Sequence, residues 1–456
     1  MQFSLFTTLL GSMFILSAAN AQTQPQTQQP QLSGVVFENV RIFTGTSDQL
    51  SAPSNVLIEG NVIKAISTAP IAVPSETAVT TIQGNGRTLM PGLIDNHVHI
   101  FMSANSQAAL LNPKASFESL EKKASEEAKL MLLRGFTAAR DVGGPVFGIK
   151  RSIDSGKTLG PRIYPSGAMI SQTSGHGDFR MPSDRSRRFG GQITRGELMG
   201  IGFIADGRDE VLTATREDLR AGASQIKVMA GGGAASAYDP LDVAQYTLDE
   251  MKAAVEAADD WGTYVTVHAY TPKAVGRAIE AGVKCIEHGQ LLDEATMKLL
   301  GEKGIWLSLQ ALDEAPPTAN PEVKAKKHTV VEGTDNAFKW AQKYKVKLAW
   351  GTDFMFNPAQ NKNQNTDIIK LKTWLTPAEV LKLVTHDNAE LLGLSGLRNP
   401  YPGKQGVVEV NALADLLLVD GDPITNLELV ADPEKNFLVI MKDGKIYKNL
   451  VTIQGK

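Results

Sequence analysis

Cysteine is nearly absent. Cys285 stands alone among 456 residues, so no disulfide can close within the chain and stability has to come from packing. Neither sign of charge is in excess: 46 Lys and Arg against 49 Asp and Glu leave a formal net charge of −3. That excludes the global basic field that recruits nucleic acid, and acidic ligands would have to be caught by local groups. Beyond the N-terminal stretch no run is long and apolar enough to span a bilayer. Gly231-Gly232-Gly233 lacks the Gly-Lys-Ser/Thr ending of a phosphate loop. Histidine numbers only seven, few enough to follow one by one. What is present is ordinary for a globular protein: 42% hydrophobic and 21% charged residues. The length suits a large barrel with an accessory domain.

The first 21 residues read as a secretory signal. Phe3 to Ala19 is uncharged and rich in Leu, Phe, Ile and Met, and Ala19-Asn20-Ala21 puts small residues where a signal peptidase reads, ahead of Gln22. The competing reading is a membrane anchor, but the apolar run of about 17 residues is broken by Ser, Thr and Gly and is marginal for a span. The expectation is an exported protein, periplasmic or secreted, with no stable membrane anchor once the signal is cleaved. Residues 22–32 form a polar, low-complexity linker (QTQPQTQQPQ within it), expected to be disordered.

From residue 35 to 89 the chain reads as short strands, among them 35–40, 55–59 and 62–66, with Gly60-Asn61 as a hairpin turn. Near the other end, 415–419, 437–441 and 445–447 alternate in the same way around the turn Asp443-Gly444. Strands at both termini predict one small β-sandwich domain, residues 33–89 with 403–456. Between them, residues 90–402 alternate apolar strands with helical patterns. The strands are 92–97, 137–141, 162–166, 225–230, 264–268, 284–288, 305–309 and 347–350. The clearest helices are 119–134, 248–261, 272–281 and 293–303, with 377–392 closing the section. Eight strands, each with a helical segment available after it, give the count of an α/β fold, the (β/α)8 TIM barrel. Residues 172–211 are Gly- and Arg-rich and weakly periodic, an active-site loop or lid on such a barrel.

The chemistry concentrates in Pro91-Gly92-Leu93-Ile94-Asp95-Asn96-His97-Val98-His99. Residues two apart on a strand face the same side, so His97 and His99 present two imidazoles to one point, and imidazole is the commonest protein ligand for zinc-like metals. PGLIDNHVHI resembles the first-strand signature of the amidohydrolase superfamily. The likeness continues with Lys227 on the fourth strand (QIKVM), His268 ending the fifth (TVHAY), His288 ending the sixth (IEHGQ) and Asp353 after the eighth (AWGTDF).

The resemblance implies a binuclear centre of two divalent metals, zinc by default. His97, His99 and Asp353 would hold one metal and His268 and His288 the other. Lys227, N6-carboxylated to a carbamate, would bridge the two. It also implies that Asp353 accepts the proton as hydroxide attacks and returns it to the leaving nitrogen. The competing readings are a helix N-cap for Asp353, a snorkelling strand-end lysine for Lys227, and satisfied core histidines for His268 and His288.

Further site candidates come from context. His176 lies in SGHGD, where flanking glycines allow close approach, and is expected to face substrate or an oxyanion, against a loop hydrogen bond. Tyr238 is expected to donate its hydroxyl to a substrate carboxylate or oxyanion, against a packed aromatic. Arg140 has two even readings, a substrate carboxylate or a neighbouring acid. His328 and His386 are read as structural, Cys285 as a buried thiol, and Arg185, Arg187 and Arg188 as a solvated loop face. Within the superfamily, TAARDVGG around Arg140, SGHGD and the triple glycine are similar to the prolidase-like dipeptidases and carboxypeptidases, a group that includes ochratoxin-hydrolysing enzymes. The substrate expected is therefore a dipeptide or N-acyl amino acid, with no nucleic-acid partner and a homo-oligomer left open. The alternatives are a deaminase or cyclic amide or lactone hydrolase on the same scaffold, and a non-catalytic relative.

Overall fold

The computed structural model describes residues 33–72, 78–236, 238–451 and 453–455. The signal and linker readings fall on residues 1–32 and lie outside them. No helix among the described residues is long and apolar enough to cross a membrane.

Eight parallel barrel strands run in chain order through Leu93–Val98, Phe136–Asp141, Arg162–Pro165, Ile226–Met229, Val265–Ala269, Cys285–His288, Trp306–Leu309 and Lys347–Trp350. Most are four to six residues long and buried throughout, as strands covered on both faces must be. The third strand departs from expectation. It breaks at Ser166-Gly167-Ala168 and resumes as Met169–Ser171, and only this second part pairs with the fourth strand. Asp218 stabilises the break by accepting from Ala168 N at 2.9 Å.

The segment after it is more ordered than its weak periodicity suggests. Gly202–Ile204 adds a strand beside Met169–Ser171, and Arg195–Leu198 is a short helix closed by a Thr194–Glu197 capping box. Two long helices, Arg208–Ala221 and Pro321–Lys343, were not among the clear helical patterns. Their buried faces are built largely from Ala, Thr and Val among many charges, so the apolar stripe is faint.

The termini make the second unit. Ser33–Ile42 pairs with Ser54–Glu59 and, through its two ends, with Ala78–Gln83 and Thr88–Pro91. Leu416–Val419 joins antiparallel to Thr88–Pro91, and Phe437–Lys442 and Lys445–Asn449 extend that side. Alternation on Leu416–Val419 divides the work. Leu416 and Leu418 enter a core with Phe37, Val56, Ile63 and Met441, whereas Leu417 and Val419 pack into the barrel's core. Arg162, starting the third barrel strand, is tied to Asp415 at 2.9 Å and to Asp443 at 2.9 Å.

Candidate metal centre

Four of the six expected ligands stand at strand ends by simple register. His97 and His99 leave the first strand, Met229, two residues past Lys227, pairs with His268, and Ala269 pairs with His288. Asp353 arrives because the eighth strand closes tightly on the first: Asp353 N donates to His97 O at 2.8 Å. A Cβ on Gly351 would stand 2.2 Å from His97 N, so only glycine lets these backbones meet. His288 and Asp353 adopt left-handed backbone, φ 80 and 53, which side-chain-bearing residues rarely occupy. At these strained positions both side chains meet His97, as strained positions at functional sites often serve a geometry.

The rings form a continuous series. Centroids lie 5.3 Å apart for His97 and His99, 5.0 Å for His97 and His288, 4.5 Å for His268 and His288, and 4.1 Å for His176 and His268. Each of the four expected ligand histidines spends one ring nitrogen on an outer acceptor. Nδ1 of His97 donates to Glu287 Oε2 at 2.8 Å and Nδ1 of His99 to Gly143 O at 3.1 Å. Nδ1 of His288 donates to Gln310 Oε1 at 2.7 Å, and Nε2 of His268 to Gly232 O at 3.1 Å. In a neutral imidazole the other nitrogen is then a lone pair. Those lone pairs are Nε2 of His97, His99 and His288, and Nδ1 of His268.

Asp353 Oδ1 is buried without a hydrogen-bond partner and lies 3.3 Å from Nε2 of both His97 and His99. Three electron-rich atoms facing one another repel unless a proton on His97 or a cation stands among them. The spacing agrees, because ligands about 2.0–2.1 Å from a tetrahedral centre stand about 3.3 Å apart. Ligand atoms of His97, His288 and Asp353 also lie within 4.8 Å of one another. The donor set therefore fits a metal.

The electrostatics point the same way. Burial pushes the Asp353 carboxyl up, but the imidazoles around it outweigh burial and hold it well below the usual range. Burial lowers His99, and holds His268 far down and His288 at about 3, so all three stay neutral and able to ligate. His97 goes the other way: burial and Lys227 lower it, but Asp353 and Glu287 prevail and raise it. A field that favours a proton on His97 favours a cation beside it. Lys227 is buried, its ammonium disfavoured by burial although Glu287 and Asp353 pull against that.

Glu287 escaped notice in the sequence, yet it lies beneath the cluster and ties its parts together. It accepts from His97, from Arg140 Nη2 at 2.6 Å and from the Thr266 hydroxyl. Burial raises its carboxyl, but Arg140 and His97 overcome this and keep it ionised. The signal available was an acid and an arginine on two otherwise apolar strands, which have to pair when buried. Asp95, Gln310 and Tyr270 were missed as well. Asp95 accepts from Thr352 N and Oγ1 at 3.1 and 2.8 Å and so shapes the Asp353 turn, while the Tyr270 ring lies 5.1 Å from both His268 and His288.

Of the further candidates, Arg140 takes one of its two expected roles and Tyr238 stands at the surface. Arg140 is fully buried, with Nε on Asn96 O at 2.7 Å, Nη1 on Tyr264 Oη at 3.2 Å and Nη2 on Glu287; the neighbouring acid claims it. Tyr238 is 54% exposed, and its neighbour Asp239 is the residue that turns inward. His176 does reach the cluster, with Nδ1 held by Asp239 Oδ2 at 3.0 Å and Ser236 Oγ at 3.1 Å. Cys285 is buried, His328 is exposed against Glu314 and Glu332, and His386 pairs with Asp387. Arg187 and Arg188 are largely solvated, although Arg187 also donates to Ile204 O at 2.8 Å.

Comparison with known proteins gives the same frame. Residues 88–451 match the amidohydrolase family. The ochratoxinase of Aspergillus niger is 31% identical over 375 residues, 79% of this chain and 75% of that one. A solved prolidase complexed with N-methylphosphonate-L-proline has a TM-score of 0.83 at 31% identity, covering 91% of this chain and 100% of the other. A Xaa-Pro dipeptidase with methionine bound in its active site has a TM-score of 0.77 at 28% identity, again over 91% and 100%.

Proposed function

Because this chain belongs to the amidohydrolase family, and so is a hydrolase of amide bonds, we propose that it removes the C-terminal amino acid from dipeptides or N-acyl amino acids. The observation that carries the reading is the unpartnered Asp353 Oδ1 lying 3.3 Å from Nε2 of both His97 and His99, with a ligand atom of His288 within 4.8 Å of those of His97 and Asp353. Its relatives, the ochratoxinase and the prolidases, supply the substrate class.

His97, His99 and Asp353 would hold one divalent cation, His268 and His288 a second, and Lys227 would lie between them. Such ions, zinc by default, lower the pKa of a water and polarise a scissile carbonyl. Burial favours the neutral amine of Lys227, whose lone pair can form a C–N bond to carbon dioxide with loss of one proton. The product is an anionic carbamate oxygen in place of an ammonium. Asp353 takes the proton of the attacking water and passes it to the leaving nitrogen. Its unpartnered Oδ1 beside His97 and His99 supports that reading. His176, its Nδ1 braced by Asp239, would face the substrate, and in its imidazolium form Nε2–H would donate to a carboxylate or the developing oxyanion. Residues 1–21, read as an export signal, put this activity outside the cytoplasm.

The test is a panel of X-Pro, X-Phe and X-Arg dipeptides and N-acyl amino acids incubated with metal-replete protein, reading free C-terminal amino acid. Release from at least one class is expected. No release from any member, or ammonia from a purine or pyrimidine instead, would overturn the assignment.

A further inference from the structure

The helix Pro321–Lys343 follows the seventh barrel strand, and in its second turn Lys326 is only 9% exposed. Its ammonium donates to two main-chain carbonyls of the loop after the fourth strand, Ser236 O at 2.6 Å and Asp239 O at 2.9 Å. One turn further, Val330 packs with Ala234 of the same loop and with Tyr270. A lysine so deeply buried is tolerated only where its donors are engaged. What they engage is the stretch of backbone that carries Asp239.

The Asp239 carboxylate accepts from Gly233 N at 2.7 Å and from His176 Nδ1 at 3.0 Å. Ser236 Oγ lies 3.1 Å from the same His176 nitrogen. The ring stacks on His268, and a Cβ on Gly233 would stand 1.8 Å from it, so the loop also sets how near the ring may come. The chain of contact runs from Lys326 to two carbonyls, to Asp239 and to His176.

We infer that Lys326 is a positioning residue for His176. It fastens the loop to the helix after the seventh strand, so that Asp239 and Gly233 hold the imidazole in one place and one orientation. This rests on the reading of His176 as the substrate-facing group. The loop's own hydrogen bond from Gly233 N to Asp239 shapes it internally; Lys326 ties it by hydrogen bonds to a long helix, beside the Val330–Ala234 packing. A displaced catalytic-site group costs rate steeply, because the productive geometry is narrow.

Lys326→Met keeps the length of the side chain and removes the donors. The expected result is kcat/KM lower by about tenfold to a hundredfold, with bound metal per chain unchanged. Amide exchange should accelerate at residues 231–236 and 174–178. In a His176→Asn background the same substitution should cost nothing more, since its effect passes through the ring. Asp239→Asn should show the same non-additivity with Lys326 left in place. Lys326→Gln retains a neutral donor and should fall between; if Lys326→Met does not fold, wild-type exchange and wild-type rate in Lys326→Gln overturn the inference. Losses that multiply between positions 326 and 176, or exchange at 231–236 that stays at the wild-type rate, overturn it too. Exchange is read without substrate. A wild-type protein that cleaves no dipeptide therefore removes the functional reading alone, and the role of Lys326 is then decided by exchange at 174–178.

Discussion

At the scale of the residue, each histidine of the candidate centre is defined by the nitrogen it turns away from the cluster. Glu287, Gly143, Gln310 and Gly232 each take one ring proton and so aim one lone pair. Glu287 does most, since it also neutralises Arg140. Glu287→Gln should weaken metal binding by about tenfold to a hundredfold. It should also cost about 3–5 kcal/mol of stability, because a buried guanidinium loses its counter-charge. Metal titration and denaturant unfolding read the two effects, and wild-type values in both would show Glu287 to be a bystander. Lys227→Ala should lose activity together with most of the bound metal, and short carboxylic acids should restore part of the rate by standing in for the carbamate oxygens. Full activity in that variant would remove the carbamate from the mechanism. The histidines and Asp353 were legible because strand ends are marked locally. Their partners were not, because nothing near His97 in the chain points to Glu287.

At the scale of the element, the barrel has a seam between its eighth and first strands, and the Asn388 side chain bridges the strands themselves. Asn388, from the closing helix, donates to Ile94 O at 2.7 Å and Trp350 O at 2.9 Å and accepts from Trp350 N at 2.9 Å. That helix is interrupted at Leu383–Asp387 by a π-helical turn, just ahead of Asn388. Asn388→Ala leaves three buried backbone groups unpaired at about 1–3 kcal/mol each, so the unfolding midpoint should fall sharply. The denaturant m-value should stay as in wild type if the native fold is kept. A shift under about 1 kcal/mol would mean that the seam is held by Gly351 and the Asp353–His97 backbone bond instead. The sequence located the helix as 377–392 but gave no cause to single out Asn388, whose function depends on two strands meeting above it.

At the scale of the whole molecule, the sheet built from both termini is fastened to the barrel by a cluster of charges. Arg162 bridges Asp415 and Asp443, and Lys442 beside them donates to Gly160 O at 2.7 Å. Burial pushes Lys442 down from 10.5 to about 8. The native state therefore releases this proton near pH 8 and the unfolded chain near 10.5. Between those values the unfolded chain binds more protons, so the contribution of Lys442 to stability rises with pH. The wild type should gain on Lys442→Met by up to about 1.4 kcal/mol per pH unit across that window. Unfolding curves at a series of pH values measure it, and a constant difference would show that the lysine titrates normally.

The chain alone determined the barrel and its eight strands, that strands from both termini form one further unit, and which histidines and aspartate were candidates for the centre. Each of these is written in a few neighbouring positions: a short apolar run, a turn, a polar residue at the strand's end. Tertiary structure decided which ring nitrogen faces inward, that Arg140 is consumed within the barrel, and that Asp239 turns in where Tyr238 turns out. The reason is separation. Glu287 meets His97 across 190 residues and Arg140 across 147, and partners so far apart are chosen by the closure of the barrel, which no local spacing records.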